Sequence, residues 1–211
     1  MPGIGRPSSL VATNGAPHWA YWRFLDGSRV YTPEQQASPL NSALISSLPA
    51  DTLYAWPFFV GKQCRFNSMV FEINGGIGTT LMRFGIYRNR SVKSPYPTSR
   101  IWDSGQQSIA ANGLVTLSGI NQTAVASSLY WLACLTNGGA RSFVLFAPTS
   151  AGIPTVAGID DVSPNTLQYG GWRAAQAFGA LPSSYPAGAT RNAVTTSTPN
   201  LFPAIGVTLT T

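Results

Sequence analysis

Histidine occurs once in this 211-residue chain, at His18, and Asp and Glu together occur seven times. Hydrolysis by a serine or cysteine nucleophile normally needs a base within hydrogen-bond reach. His18 lies in a Gly/Pro/Ser-rich N-terminal stretch, far in sequence from any candidate nucleophile. Glycoside hydrolysis needs two carboxylates facing each other across a cleft. Asp160-Asp161 is the only adjacent acidic pair. On a strand these two would point to opposite faces, and in a turn they would cap backbone N–H groups. Asp160, Asp161 and Asn165 offer oxygen ligands of the kind calcium takes, but the Asp/Asn-Gly repetition of calcium loops is absent. The expectation is a non-enzymatic protein with no catalytic residues, no metal and no cofactor.

Binding is better provided for. Six tryptophans (19, 22, 56, 102, 131 and 172) and eight tyrosines offer apolar faces with polar tips. Trp56 lies beside the apolar run Phe58-Phe59-Val60, and Trp131 lies in an alternating segment, so both are expected in the core. Tyr169-Gly170-Gly171-Trp172-Arg173 differs: two glycines beside Tyr, Trp and Arg imply a loop or bulge presenting large side chains. His18 to Leu25 packs four aromatics into eight residues. The expected contact residues are therefore Tyr169, Trp172 and Arg173, with Trp19 and Trp22. Packing between subunits is the favoured use, and a sugar site is the alternative.

The net charge of +6 arises from 13 basic and seven acidic residues. Arginine supplies all but two of the basic residues, and its planar fork suits carboxylate or phosphate partners. The densest group is Arg83, Arg88, Arg90 and Lys93. No basic run or nucleic-acid motif accompanies it, so nucleic acid is not an expected partner. Cys64 and Cys134 could bridge if their Cα atoms approach within ~7 Å, or stay as buried thiols in a reducing compartment. The first residues lack an apolar signal core, and no apolar run approaches the ~18 residues of a membrane helix. Synthesis in a cytoplasm, with no membrane partner, is expected.

These side chains must be carried by strands. Charged residues are 9% of the chain against ~25% in typical soluble proteins, while hydrophobic residues reach 44%. The rest is rich in Gly, Ser, Thr, Asn and Pro, which suits short strands joined by turns. Such a charge-poor surface suits a protein that spends its life assembled, because fixed charges would be desolvated at contacts.

Residues 1–48 read as an extended arm. Within it, His18 to Leu25 followed by Asp26-Gly27 reads either as a strand entering a turn or as an aromatic patch that docks on a neighbour. Leu40, Leu44, Ile45 and Leu48 allow one short helix over 38–48. Residues 49–211 read as strands. Met69, Phe71 and Ile73 share one face opposite Glu72. Met82, Phe84 and Ile86 point inward, Arg83 and Tyr87 outward. Asn89 to Thr98 reads as a Pro-containing loop, and Ile205, Val207 and Leu209 share a face. Pro182 and Pro186 suggest a rigid surface loop over 181–190 that blunts a sheet edge. The fold class that follows is all-β: an antiparallel, jelly-roll-like β-sandwich with an extended N-terminal arm.

Five landmarks occur in order: Asp51-Thr52-Leu53-Tyr54-Ala55-Trp56-Pro57-Phe58-Phe59-Val60, Arg83-Phe84-Gly85-Ile86-Tyr87, Asp103-Ser104-Gly105, Leu129-Tyr130-Trp131-Leu132-Ala133, and Ala180-Leu181-Pro182-Ser183-Ser184-Tyr185-Pro186-Ala187-Gly188-Ala189-Thr190. The ordered set resembles a β-sandwich family of tailed-bacteriophage structural proteins, found in tail-fibre-like and other virion surface components. It departs mildly at Ser184-Tyr185, where the family more often has Thr-Phe, and at Ser128-Leu129, where it usually has Pro-Gly. The resemblance covers about three quarters of the chain and implies a virion part without catalytic chemistry. Two roles stay open: decoration of the capsid, gripped through the arm, or a tail-fibre or adhesin component. Partners would be other virion proteins and further copies of the chain, a trimer by family analogy. The alternative is a carbohydrate-binding module that recognises a host-surface glycan.

Overall fold

The computed structural model describes residues 26–31, 44–46, 48–74, 80–91, 94–109, 112–138, 142–146, 168–194, 202–203 and 205–211. The strands are β1 (Asp26–Tyr31), β2 (Leu44–Ser46), β3 (Thr52–Val60), β4 (Cys64–Asn74), β5 (Leu81–Ser91), β6 (Ser94–Asp103), β7 (Gln107–Ser108), β8 (Gly113–Ala124), β9 (Ser128–Thr136), β10 (Ser142–Phe146), β11 (Gln168–Ala175), β12 (Thr190–Val194), β13 (Phe202–Pro203) and β14 (Ile205–Thr210). They form two sheets of seven strands each among the described residues. One runs β1-β14-β4-β10-β13, with β8 beside β4 and β2 beside β10. The other runs β12-β11-β3-β9-β5-β6, with β7 beside β5. Every pairing is antiparallel, and the architecture is the expected all-β sandwich.

Alternation places the main core between the sheets. Phe58, Phe66, Phe71, Phe84, Met69, Met82, Ile86, Leu132, Ile205 and Val207 meet there, buried. Their period of two along each strand turns one side inward, as the spacing of Met69, Phe71 and Ile73 implies. Phe71 and Phe84 stack across the sheets with ring centroids 4.1 Å apart, and Phe66 meets Tyr130 edge-on at 5.2 Å. Cys64 and Cys134 belong to the same core as separate buried thiols, so the bridged alternative is not realised.

Several expectations need correction. Leu44–Ser46, read as part of a short helix, is strand β2 paired with β10; residues 38–43 lie outside the described residues. The 1–48 segment is not wholly an arm, because β1 pairs with β14 and β2 with β10. Trp19, Trp22 and His18 lie outside the described residues. The stretch read as a loop over Asn89 to Thr98 is a close hairpin, with Ser91 opposite Ser94 and Asn89 opposite Pro97. Pro95 and Pro97 fit because β6 ends its sheet, where a missing N–H costs no ladder bond.

Candidate functional site

The sheet that carries β3, β5 and β9 is apolar on both faces. Its inner side chains, such as Tyr54, Trp56, Phe58, Ile86 and Leu132, fill the main core. Its outer side chains form a second core: Leu53, Ala55, Tyr87, Trp131, Ala133, Leu135 and Ala174. A face this apolar cannot be left in water, and the chain segment after β11 covers it. Leu181 and Tyr185 descend from that segment into the second core, with Phe178 and Ala189 at its margin. Tyr87 is therefore fully buried, although alternation along β5 turns it away from the main core. The 181–190 motif does touch edge strand β6, through a bridge between Ser99 and Ser184, but its larger role is to seal a face.

Polar contacts fix this cover. Asp103, at the end of β6, receives Arg83 Nη1 at 3.2 Å and Arg100 Nη1 at 2.9 Å, and the Leu181 N–H donates to the same carboxylate at 3.1 Å. Its other oxygen accepts the Gly105 N–H at 2.9 Å, which shapes the Asp103-Ser104-Gly105 turn. Arg100 also donates from its side chain to the Leu181 carbonyl, and from its backbone N–H to the Ser183 carbonyl at 2.8 Å. The Tyr185 N–H donates to the Thr98 carbonyl at 2.8 Å. At the segment's start, Asp51 accepts the Phe178 N–H at 2.7 Å on its carboxylate.

Three tyrosine hydroxyls complete the seal. Tyr87 donates to the Pro182 carbonyl at 2.9 Å, and Tyr96 to the Pro186 carbonyl. Tyr185 donates to the Leu53 carbonyl at 2.9 Å, with the Trp172 carbonyl 3.2 Å away. The three rings pack edge-on, with Tyr185 5.4 Å from Tyr87 and 5.9 Å from Tyr96. Burial pushes the phenols of Tyr185 and Tyr87 above their ordinary range, because ionisation there would strand a charge in an apolar site. The buried hydroxyl of Tyr185 thus finds acceptors instead of being left unsatisfied.

Two glycines make the approach possible. A Cβ on Gly85 would collide with Leu181 Cδ1, so the second landmark leaves the space that the last one fills. A Cβ on Gly171 would collide with the Ala55 carbonyl oxygen, so β11 can pair with β3 at this distance only with glycine there.

The contact residues expected near 169–173 fall within β11, not on a loop. The pairing with β12 slips between Tyr169 and Gly171, which is the bulge that Gly170-Gly171 implies. Trp172 and Arg173 are neighbours on a strand and so diverge. Trp172 is half-buried against the second core, donates its indole N–H to the Pro95 carbonyl at 3.0 Å, and meets Tyr96 edge-on at 4.8 Å. Arg173 is exposed opposite Tyr54, with its Nε 3.4 Å from the Thr190 hydroxyl. Trp172 and Arg173 therefore do not converge on one ligand. Trp56 and Trp131 are core residues as expected, and Trp131 donates to the Asn89 side-chain oxygen at 3.0 Å.

Among the described residues no three His, Cys, Asp or Glu side chains gather as a metal would require, and no helix is long and apolar enough to cross a membrane. Asp160, Asp161 and Asn165 lie outside the described residues. An open groove of about 320 Å³ remains at one end of the sandwich, lined in part by Arg88, Asn89, Ser127, Ser128 and Tyr130. In the sequence Arg88 stands out only as part of a basic group. The groove's far wall, the turn from β8 to β9, carried no motif to mark it. No family model matches the chain, and no curated protein matches it.

Proposed function

We propose that this chain is a non-enzymatic structural protein of a bacteriophage virion, displayed on the particle surface as a capsid decoration or as a tail-fibre or adhesin component. The N-terminal segment would attach it to other virion proteins, and copies of the chain would associate with one another. One observation carries this reading. The landmarks of the resemblance, scattered from residue 51 to residue 190, come together as a single unit in which β3, β5 and β9 lie side by side and the last motif seals their outer face. A resemblance confined to one short motif could be chance, whereas these motifs depend on one another physically, as Gly85 and Leu181 do. The charge-poor composition agrees, because a subunit held among others gains little from fixed surface charge.

Immunogold electron microscopy of intact particles, with antibody against the purified protein, tests the reading. Gold spread over the head assigns decoration, and gold confined to the tail assigns adhesion. Protein found only free in the lysate, with particles unlabelled, overturns the proposal.

A further inference from the structure

Along β5, Met82, Phe84 and Ile86 point into the main core, and Arg88 continues the same side of the strand beyond the point where that core ends. Its register partner on β9 is Tyr130, whose ring closes the core at that end. The turn from β8 to β9, which passes from one sheet to the other, forms the opposite wall of the 320 Å³ groove. That volume lies at the lower end of small-molecule sites.

Both walls are held in place. The Val125 N–H donates to the Tyr130 hydroxyl oxygen at 2.8 Å, which fixes the turn against the floor. Asn89 accepts the Trp131 indole N–H and the Tyr96 N–H, each at 3.0 Å, and donates to the Ser91 carbonyl at 2.7 Å. This preorganisation lowers the ordering cost of binding. The lining chemistry is one-sided. Arg88 is exposed and makes no ion pair among the described residues. Ser91, Ser127 and Ser128 line the groove beside it, no carboxylate does so among the described residues, and Val125 and Leu129 add apolar surface. Val125 is 51% exposed, a large apolar side chain kept at the rim.

We propose that this groove binds one anionic sugar unit, with Arg88 engaging its carboxylate or phosphate and the serine hydroxyls its ring oxygens. A guanidinium matches either oxyanion through paired N–H donors. The hydroxyls and the apolar rim suit the mixed polar and apolar faces of a pyranose better than they suit a bare inorganic anion. The inference goes beyond a structural role on the particle, since decoration and adhesin proteins alike could carry such a groove.

Saturation-transfer NMR on the full chain tests it, with glucuronate, glucose 6-phosphate and glucose as probes at millimolar concentration. Transfer to glucuronate or to the sugar phosphate, but not to glucose, is expected, and which of the two responds identifies the carboxylate or the phosphate as the bound group. Binding should weaken about tenfold in Arg88→Gln, as loss of a charge-assisted hydrogen bond implies, and should be unchanged in Arg173→Gln. Val125→Glu, which adds a like charge at an exposed position, should abolish it. Equal transfer to glucose, undiminished binding in Arg88→Gln, or no transfer to either anionic sugar overturns the proposal.

Discussion

At the scale of single residues, the molecule depends on missing atoms as much as on present ones. Gly85 is buried on a strand, where glycine otherwise weakens pairing, and it is there because Leu181 needs the space a Cβ would take. Gly85→Ala should destabilise the fold by about 1–3 kcal/mol through overpacking. Leu181→Ala alone should cost about 2–5 kcal/mol through the cavity it leaves. The double variant should cost clearly less than the sum, because the new methyl enters space that the lost side chain vacated. Urea denaturation of the four proteins measures this, and strict additivity would mean that the two residues do not meet. Neither residue announces its partner in the sequence, where they lie far apart.

At the scale of elements, the 176–189 segment behaves as a lid sewn to a sheet. It contains no strand of its own, so its order rests on Leu181 and Tyr185 seated in the second core, on polar contacts with Asp51, Asp103, Arg100, Tyr87 and Tyr96, and on the Tyr185 hydroxyl held by the Leu53 carbonyl. Asp103 is the densest knot, with its charge shared by two arginines and a backbone N–H. Asp103→Ala would leave two half-buried guanidinium groups uncompensated and should destabilise the protein by about 2 kcal/mol. The effect should concentrate in the lid: limited proteolysis should cut first within 176–189, while β4 and β14 stay protected. Cleavage that begins elsewhere would show that the lid is held by its apolar contacts alone. The periodicity of β4, β5 and β14 was readable because one side of each faces the core and alternation is local. The lid was not readable as a cover. Pro182 and Pro186 mark it as non-helical and poor in donors, which is equally true of any surface loop. The same limit applies to β6, where two prolines read as a loop although an edge strand tolerates them. The strand at Leu44–Ser46 shows it again, since a three-residue strand has too few positions to display a period.

For the whole molecule, two cores share one sheet, and buried phenols link them. The Tyr54 hydroxyl is pushed up to about 12, chiefly by burial with a further contribution from nearby Cys134, partly offset by Arg173. Tyr87 and Tyr185 are raised as well, again chiefly by burial. A phenol raised in the folded state keeps its proton when the unfolded chain has already lost it. Stability is therefore fully present below the unfolded value near 10 and falls as pH rises through and beyond it. Thermal unfolding followed by circular dichroism should show a nearly constant Tm from pH 8 to just below 10, then a steep decline. The share of the ultraviolet tyrosinate absorbance that belongs to Tyr54, Tyr87 and Tyr185 should rise only together with unfolding. Early ionisation of all eight tyrosines in the folded protein would refute the buried arrangement.

The all-β class, the alternating inner faces and the burial of Trp56 and Trp131 followed from the sequence alone, because each is set by neighbours one or two positions away. The bulge at Gly170-Gly171 was legible for the same reason, since two successive glycines constrain local backbone. What Tyr87, Gly85, Asp103 and the 180–190 motif do was decided by tertiary structure only. Each acts on a partner dozens of residues distant, and residue types carry no record of which remote segment will lie over which face. Tyr169, Trp172 and Arg173 were grouped by proximity in sequence, and the pleat that turns successive side chains to opposite faces separated Trp172 from Arg173. Arg88 entered the groove for the converse reason: the opposite wall is the turn from β8 to β9, a connection that crosses from one sheet to the other and takes its place when the two sheets close on their shared core.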